Sequence, residues 1–277
     1  NELLRLMIGE MEPISYERTP IPADAGPVLE VEKLHVISDD GREAVRGVSF
    51  TIRQGEILGI AGVSGNGQRE LVEAIVGLRR VKSGRLKLQG VDITNMGARK
   101  RAELGIRHIP EDRRRMGVVE PMNTAENIVM REYHVKPFSR YGVLNRQAIT
   151  ELAQNLVAKL GILTPDLWDT EVRILSGGNI QRLILARELW RDPKLVVAFH
   201  PTYGLDLKAL NQTHRLFMDL RRKGSSILLV SEDLEEIFLL SDRIAVMYDG
   251  EIVGTVGAKD ATVETVGRMM AGIKTIQ

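Results

Sequence analysis

Polar and apolar residues alternate in the first part of the chain. The alternation covers residues 28–31 and resumes over residues 48–52, with the turn-forming sequence Asp39-Asp40-Gly41 between the two runs. A period of two places successive side chains on opposite faces of a strand, and an Asp-Gly pair favours a tight turn. The pattern therefore predicts an antiparallel pair of strands.

The next run is apolar without alternation. Residues 56–61 form a continuous apolar segment, a glycine-rich stretch follows, and Leu71, Ile75 and Leu78 then recur at helical spacing. An unbroken apolar run is typical of a strand that is buried on both faces of a sheet. We expect a strand, a loop and a helix in that order.

The remaining chain divides into a helical part and a sheet-forming part. Helical patterns over residues 125–131, 146–160 and 180–190 predict a helical subdomain at about residues 121–191. Three short apolar runs follow, at residues 195–199, 226–230 and 243–247, with a helical pattern at 207–222 and the turn signal Asp249-Gly250. Strands that alternate with helices predict an α/β fold with a parallel sheet covered on both faces.

Composition narrows the possible partners. The 277 residues include 38 Lys and Arg against 37 Asp and Glu, and there is no cysteine. A net charge of +1 gives no field that would attract nucleic acid, and we interpret the triplet Arg113-Arg114-Arg115 as a solvated loop rather than an RNA contact. The absence of cysteine excludes disulfides and thiolate metal sites, and no apolar run approaches the ~18 residues of a membrane-spanning helix. His35, His108, His134 and His214 lack metal-ligand spacing, so we expect no metal site.

The first residues repeat a pattern found near the end. Residues 5–9 and residues 268–272 share three of five residues, and residues 2–11 form an amphipathic pattern. Self-similarity of this kind is typical of tandem copies. We therefore expect residues 1–27 to be the end of a preceding copy followed by a proline-containing linker, and residues 28–277 to be one domain.

A candidate phosphate-binding loop connects the predicted strand to its helix. Its residues are Gly62, Val63, Ser64, Gly65, Asn66, Gly67, Gln68 and Arg69. Glycines allow backbone N–H groups to face a phosphate, and the following helix N-terminus adds its dipole. Gln68 and Arg69 stand where the motif requires Lys and then Ser or Thr, so an ordinary glycine-rich turn remains an alternative.

A second motif is more specific. It consists of Leu175, Ser176, Gly177, Gly178 and Asn179, directly before a helical pattern. This run resembles the signature motif of ABC-type ATPases. The resemblance implies that the Ser hydroxyl and the Gly N–H groups bind the γ-phosphate of ATP held by the facing subunit. The alternative is a serine-capped helix without a ligand.

Other positions follow the family pattern while their chemistry departs from it. Phe199 and His200 stand where ABC ATPases place a Mg²⁺-holding Asp and a water-activating Glu. Glu232 replaces the switch His, and Glu111 replaces the Gln of the glutamine loop. Asp206 matches the dimer-contact loop. The adenine-stacking aromatic of the family is also missing, because residues 28–49 contain no Phe, Tyr or Trp.

The whole pattern is similar to the second, degenerate cassette of bacterial ABC importers for simple sugars and nucleosides. The resemblance implies an ABC-type P-loop NTPase core with an antiparallel β subdomain and a helical subdomain. It also implies ATP as cofactor, with Mg²⁺ at the partner's site and little or none here. The implied partners are a first cassette in the same polypeptide, permease subunits and a substrate-binding protein.

The resemblance places this domain at the cytoplasmic face of the cell membrane, as a peripheral subunit. By family it is part of a transport ATPase, and we expect this half alone to be hydrolytically inactive. The alternative function is a scaffold that only dimerises and contacts the permease. An ABC protein of ribosome or DNA-repair type is disfavoured, because the 114 positions between Gly62 and Ser176 leave no room for a long coiled coil.

Overall fold

The computed structural model describes residue 16, residues 20–22 and residues 24–273. The strands are β1 Pro27–Ile37, β2 Glu43–Arg53, β3 Ile57–Ala61, β4 Ser83–Leu88, β5 Val91–Asp92, β6 Ile106–Ile109, β7 Ser139–Arg140, β8 Val143–Leu144, β9 Leu195–Phe199, β10 Ser226–Val230, β11 Arg243–Tyr248 and β12 Glu251–Gly257. The helices are α1 Gln68–Val76, α2 Ala98–Glu103, α3 Thr124–Val129, α4 Arg146–Leu160, α5 Gly177–Leu189, α6 Leu207–Arg222, α7 Leu234–Leu240 and α8 Val263–Met270.

A six-stranded sheet forms the centre of the fold. Its strand order is β12-β11-β3-β10-β9-β6, and all neighbouring pairs are parallel except β11 with β12. Strands β3, β9 and β10 are buried along their whole length, because helices cover one face of the sheet, and α1 together with a second sheet covers the other. The predicted α/β fold with a parallel sheet is confirmed.

A second sheet is antiparallel, and two of its strands precede the glycine-rich loop in the sequence while the other two follow it. Its order is β2-β1-β4-β5, and β1 pairs with both β2 and β4. Strand β1 begins at Pro27, the last residue of the predicted linker, and Pro27 pairs with Arg53. Proline is tolerated there, since the first residue of a strand does not need to donate a ladder hydrogen bond.

Three capped helices form the middle of the chain. Asn123 and Glu126 form a capping box at α3, Asn145 caps α4 and Ser176 caps α5. Their apolar faces pack together through residues that include Ile128, Ile149, Ala153, Ile180 and Leu183. The helices lie within the predicted subdomain, while the short β7–β8 hairpin in the same region was not predicted.

Helix α1 is shorter than its apolar spacing suggested. It ends at Val76, because Gly77 adopts the left-handed conformation with φ of 83° and closes the helix. Leu78 therefore lies beyond the helix and is 55% exposed instead of packing against the sheet. The periodicity located the helix correctly and misplaced its last turn.

The imidazole of His108 on β6 is buried, and burial lowers its pKa from 6.5 to about 4. The carboxylates of Glu188 and Glu73 act against the shift, while Arg131 and Arg187 reinforce it. The unfolded chain takes up this proton below about pH 6.5, whereas the folded chain does so only near pH 4. The stability that depends on a neutral His108 is therefore present above pH 6.5 and is lost as the pH falls.

We expect acidification from about pH 6.5 to about pH 5 to remove roughly 2 kcal/mol from the free energy of unfolding through His108. Denaturant unfolding of the wild type and of His108→Leu at both pH values measures this. The variant should lose less stability than the wild type over the interval. Equal losses in the two proteins would show that His108 does not cause the pH dependence.

The segments on which the predicted tandem arrangement rests lie mostly outside the residues that the structure describes. The amphipathic pattern at residues 2–11 and the repeat at residues 5–9 lie outside the described residues. The matching segment, residues 268–272, forms the end of α8 and the turn after it. Among the residues that the structure describes, no helix combines the length and hydropathy needed to cross a membrane.

Candidate functional site

Loops that follow four neighbouring parallel strands meet at one edge of the central sheet. Strands β3, β10, β9 and β6 are adjacent in that order, and their carboxyl ends open on an accessible cavity of about 690 Å³. The predicted residues on its wall are Gly62, Ser64, Gly65, Asn66, Gly67, Gln68, Arg69, Glu111, His200 and Glu232. Val63 is not among the lining residues, and its side chain is 54% exposed. A crevice at the carboxyl ends of strands is the usual ligand site of an open α/β sheet.

The glycine-rich loop has the backbone geometry of an anion cradle. Gly65 and Gly67 have φ values of 88° and 97°, in the left-handed region that favours glycine. No atom lies within 4 Å of the position that a Cβ on Gly65 would take. Helix α1 begins directly afterwards at Gln68, without a side-chain cap on its first N–H groups. The loop can therefore offer unoccupied N–H groups and a helix dipole to a phosphate.

Side chains hold this loop against the turn between β11 and β12. The Asn66 amide donates to the carbonyl oxygen of Val63 at 3.0 Å and accepts the N–H of Asp249 at 2.8 Å. The N–H of Gly250 donates to the Asn66 carbonyl at 3.1 Å. Arg46 pairs with Asp249 at 2.5 Å. The loop is fixed by the protein's own contacts.

The two residues that depart from the phosphate-loop motif both point to partners within the chain. Gln68 is buried, and its Nε2 donates to the carbonyl of Val63 at 3.0 Å, so a neutral amide stands where the motif has a cation. Arg69 pairs with Glu73 at 2.9 Å, and Glu73 also pairs with Arg79 at 2.7 Å. The positive charge of Arg69 beside the cavity is therefore offset by the Glu73 carboxylate.

Two positions at which the family pattern places oxygen ligands for Mg²⁺ have none in this cavity. Arg69 has no oxygen with which to hold the metal, and neither does Phe199. Among the described residues, the carboxylates of Glu70, Glu111 and Glu232 line the cavity without an ion pair. These charges oppose a triphosphate, while the neutral backbone cradle favours it. The cavity thus combines groups that favour an anion with groups that oppose one.

Phe199 and His200 occupy the end of β9 in an unusual conformation. The two rings stack with centroids 4.7 Å apart and an interplanar angle of 30°. His200 has φ of 46°, a strained value for a residue with a Cβ. Its N–H donates to the carbonyl of Val230 at 2.9 Å, which fixes the turn beside Glu232. An aromatic stack therefore replaces the two carboxylates that the family pattern places here.

The signature run divides into buried and accessible residues. Leu175 and Asn179 are buried, whereas Ser176 and Gly177 are exposed. The Ser176 hydroxyl accepts from the Asn179 N–H at 3.4 Å and from its amide at 3.1 Å, so it caps α5 as the structural alternative proposes. Only Ser176, Gly177 and the half-buried Gly178 remain available to another molecule.

The signature helix is joined to the loop after β9. Gln181, one turn into α5, donates to the carbonyl of Pro201 at 2.6 Å. The same loop contains Asp206, whose carboxylate caps α6 by accepting the N–H of Ala209 at 2.9 Å. Its second carboxylate oxygen lies 3.8 Å from the position that a Cβ on Gly178 would take. The predicted dimer-contact residue and the signature glycines therefore form one surface.

The basic triplet is not a solvated loop throughout. Residues Arg113–Gly117 form one π-helical turn that Asp112 caps by accepting the N–H groups of Arg114 and Arg115. Arg114 pairs with Glu120 at 2.5 Å, and Arg115 lies 3.8 Å from the Asp112 carboxylate. Arg113 is half-buried, so the prediction of solvation is wrong for this residue.

Sequence reasoning missed the cavity wall formed by the antiparallel sheet. Ser38, Arg42, Glu43, Ala44 and Arg46 line it beside the glycine-rich loop. The Ala44 carbonyl lies against Gly67, so β2 approaches the loop directly. The alternation of residues 28–52 predicted the strands but gave no sign of this approach, because it depends on the packing of one sheet on the other.

The parallel sheet with a glycine-rich loop between β3 and α1 defines a P-loop NTPase fold. The structure agrees with that of a nucleotide-free ATP-binding cassette from an ABC transporter, with a TM-score of 0.73 and 21% identity, over 91% of this chain and 100% of that one. At this identity, the agreement shows the fold.

Relatives and a family match identify the chain further. It is 42% identical to the guanosine import ATP-binding protein NupO of Bacillus subtilis (strain 168), over 98% of this chain and 53% of that protein. It is 34% identical to the ribose import ATP-binding protein RbsA 2 of Rhizobium meliloti (strain 1021), over 99% and 52%. Residues 45–202 match the family described as ABC transporter, and the chain belongs to this family. It spans about half the length of these curated relatives.

Proposed function

We propose that this chain is a nucleotide-binding domain of an ABC importer for nucleosides or simple sugars. The proposal rests on the resemblance of the whole chain to guanosine and ribose import ATP-binding proteins. The specificity for one solute would lie in other subunits of the importer. Permease subunits and a substrate-binding protein are the partners that such an importer requires, and they place the chain at the cytoplasmic face of the membrane.

The chain is proposed to be the second, degenerate cassette of a tandem pair. The observation that carries this proposal is the combination of an intact signature surface with an altered cavity. Ser176 and Gly177 are exposed at the start of α5, whereas Gln68, Phe199 and Glu232 replace the groups expected to act on ATP. Half the length of each relative remains for a first cassette, which supplies the competent loop and the catalytic Glu.

In this arrangement the signature surface completes the partner's ATP site. The Ser176 hydroxyl and the N–H groups at the start of α5 face outward and bind a phosphate through charge-assisted hydrogen bonds. ATP and Mg²⁺ belong to the partner's loop, and the cavity of this chain holds nucleotide weakly without the metal. Residues 1–27 would be the end of the first cassette and the connecting linker.

A scaffold is the second candidate function. It is favoured by Ser176, whose hydroxyl is already used to cap α5. A scaffold would dimerise and contact the permease without binding nucleotide at either surface. The two functions differ in what the cavity does with ATP, which a binding measurement on the chain can decide.

We expect the chain to bind ATP weakly and to about the same extent with and without Mg²⁺. The backbone of Gly65 and Gly67 provides an anion cradle, but Arg69 and Phe199 offer no oxygen for the metal. Titration calorimetry with ATP, in the presence of Mg²⁺ or of a chelator, measures both affinities. Micromolar binding that requires Mg²⁺ would refute the degenerate site, and no heat under either condition would favour the scaffold.

A further inference from the structure

Arg113 stands apart from the other two arginines of its triplet. Arg114 has Glu120 and the carbonyl of Leu175 as partners, and Arg115 lies near Asp112. Within the described part of the chain, the guanidinium of Arg113 has no hydrogen bond and no ion pair. It is nevertheless half-buried, so its charge has been partly removed from water without compensation.

The partial burial of Arg113 also changes the pKa of its guanidinium. Burial lowers the pKa of Arg113, and no carboxylate among the described residues offsets the shift. The buried Arg101 shows the usual solution, because its guanidinium donates to the carbonyls of Met96, Ala74 and Ile75. No carbonyl or carboxylate among the described residues takes up the donors of Arg113, which leaves them available to another molecule.

The guanidinium of Arg113 faces the signature glycines. Its Nη1 lies 3.8 Å from the position that a Cβ on Gly177 would take. Arg113 and Gly177 also line the same open groove, together with Ile180, Tyr203 and Gly204. Gly177 is exposed at the start of α5, so the groove admits a group that reaches both residues.

The opposite side of the signature glycines carries a negative charge. A carboxylate oxygen of Asp206 lies 3.8 Å from the Cβ position of Gly178. The start of α5 contributes only about half a positive charge through its dipole, and Asp206 opposes an anion there. A bound phosphate therefore needs a further cation on this surface. Arg69, Arg114 and Arg115 also line the groove, but each has a carboxylate within 4 Å, whereas Arg113 has none among the described residues.

We propose that Arg113 contacts the terminal phosphate of the ATP that the partner cassette presents to Ser176 and Gly177. This inference rests on the proposed function, since it assigns a further substrate-contacting residue to the same surface. The guanidinium fork matches phosphate oxygens, and the contact forms only when the two cassettes close. Arg113 would thus supply the full charge that the backbone N–H groups lack.

The test compares Arg113→Ala with Arg115→Ala in the full-length importer ATPase assembled with its permease. Arg115 is a matched control, because it lies two residues away on the same groove, is exposed and has the Asp112 carboxylate nearby. We expect Arg113→Ala to lower kcat/KM for ATP by about tenfold or more, as for a lost charge-assisted hydrogen bond. Arg115→Ala should stay within about twofold of the wild type.

Two longer variants separate charge from packing. Arg113→Lys keeps the positive charge and Arg113→Gln removes it, with side chains of useful length in both. The lysine variant should recover a substantial part of the activity and the glutamine variant should not, at equal Tm. Equal activity of these two variants would overturn the proposal, even where Arg113→Ala lowers stability.

The Gly177→Asp variant separates the proposed role of Arg113 from the proposed role of the signature run. Loss of ATPase in Gly177→Asp with wild-type activity in Arg113→Ala would refute the role of Arg113 and leave the in-trans signature standing. Wild-type activity in both variants would refute the in-trans signature itself. Loss in both, with the control unaffected, is the result we expect.

Discussion

Gly177→Asp should abolish most of the ATPase activity of the full-length protein and leave the isolated chain folded. In the proposed closed dimer, the aspartate would place a side chain and a negative charge beside the γ-phosphate of the partner's ATP. A lost charge-assisted hydrogen bond is worth about 1.5–3 kcal/mol, which corresponds to roughly ten- to a hundredfold in rate. Repulsion between carboxylate and phosphate adds to this loss.

The isolated chain should tolerate the same substitution. The nearest atom to a Cβ at Gly177 is the Nη1 of Arg113 at 3.8 Å, so the site has space and a favourable charge. Gly177 is also the first residue of α5, where an acidic side chain interacts favourably with the helix dipole. We therefore expect an unchanged Tm.

ATPase assays of the full-length protein with its permease, beside thermal unfolding of the isolated chain, measure both effects. Gly177→Ala is the matched control, because it adds the Cβ without the charge. It should lose less activity than Gly177→Asp. Unchanged ATPase in Gly177→Asp would mean that the signature run is only a helix cap, and the scaffold function would then be favoured.

The isolated chain should show essentially no ATP turnover, at least about a thousandfold below a competent cassette. Preorganised charges supply most of the catalysis in phosphoryl transfer, and this cavity lacks them. Gln68 is a neutral amide bound to Val63, and Phe199 has no metal ligand. Glu232 presents an anion where a phosphate donor is needed.

Phosphate release by the purified chain, assayed beside a competent cassette under the same conditions, tests this prediction. His200 stands where the family pattern has its water-activating Glu, and its ring stacks on Phe199. His200→Ala should therefore leave any trace rate unchanged. Turnover comparable to the competent cassette would contradict the prediction, and a rate that disappears in His200→Ala would identify His200 as a base.

The elements that sequence predicted best are those with strong local signals. Strands β9 and β10 and helix α6 have the predicted bounds, since each is a single apolar or amphipathic run between polar or glycine-containing turns. Strand β4 was not predicted because only Leu86 and Leu88 are buried in it. Its place depends on pairing with β1, far away in sequence.

In the candidate site, too, the features with local sequence signals were predicted, and those that depend on residues far apart in sequence were not. The glycine spacing and the signature run identified the residues on the cavity wall and at the start of α5, because these motifs depend on local backbone geometry. The pairing of Arg69 with Glu73 and the direction of Arg113 could not be predicted. Side-chain directions depend on which carboxylates the fold brings near, and sequence spacing does not encode those distances.

Gly67 has a structural reason to be glycine that does not involve a phosphate. A Cβ at this residue would overlap the carbonyl oxygen of Ala44, and its φ of 97° disfavours any other residue. The close approach of β2, not a phosphate, is sufficient to require glycine here. Selection on folding alone would therefore preserve the glycine pattern in a domain that hydrolyses nothing, and the presence of such a loop in a sequence is poor evidence for turnover.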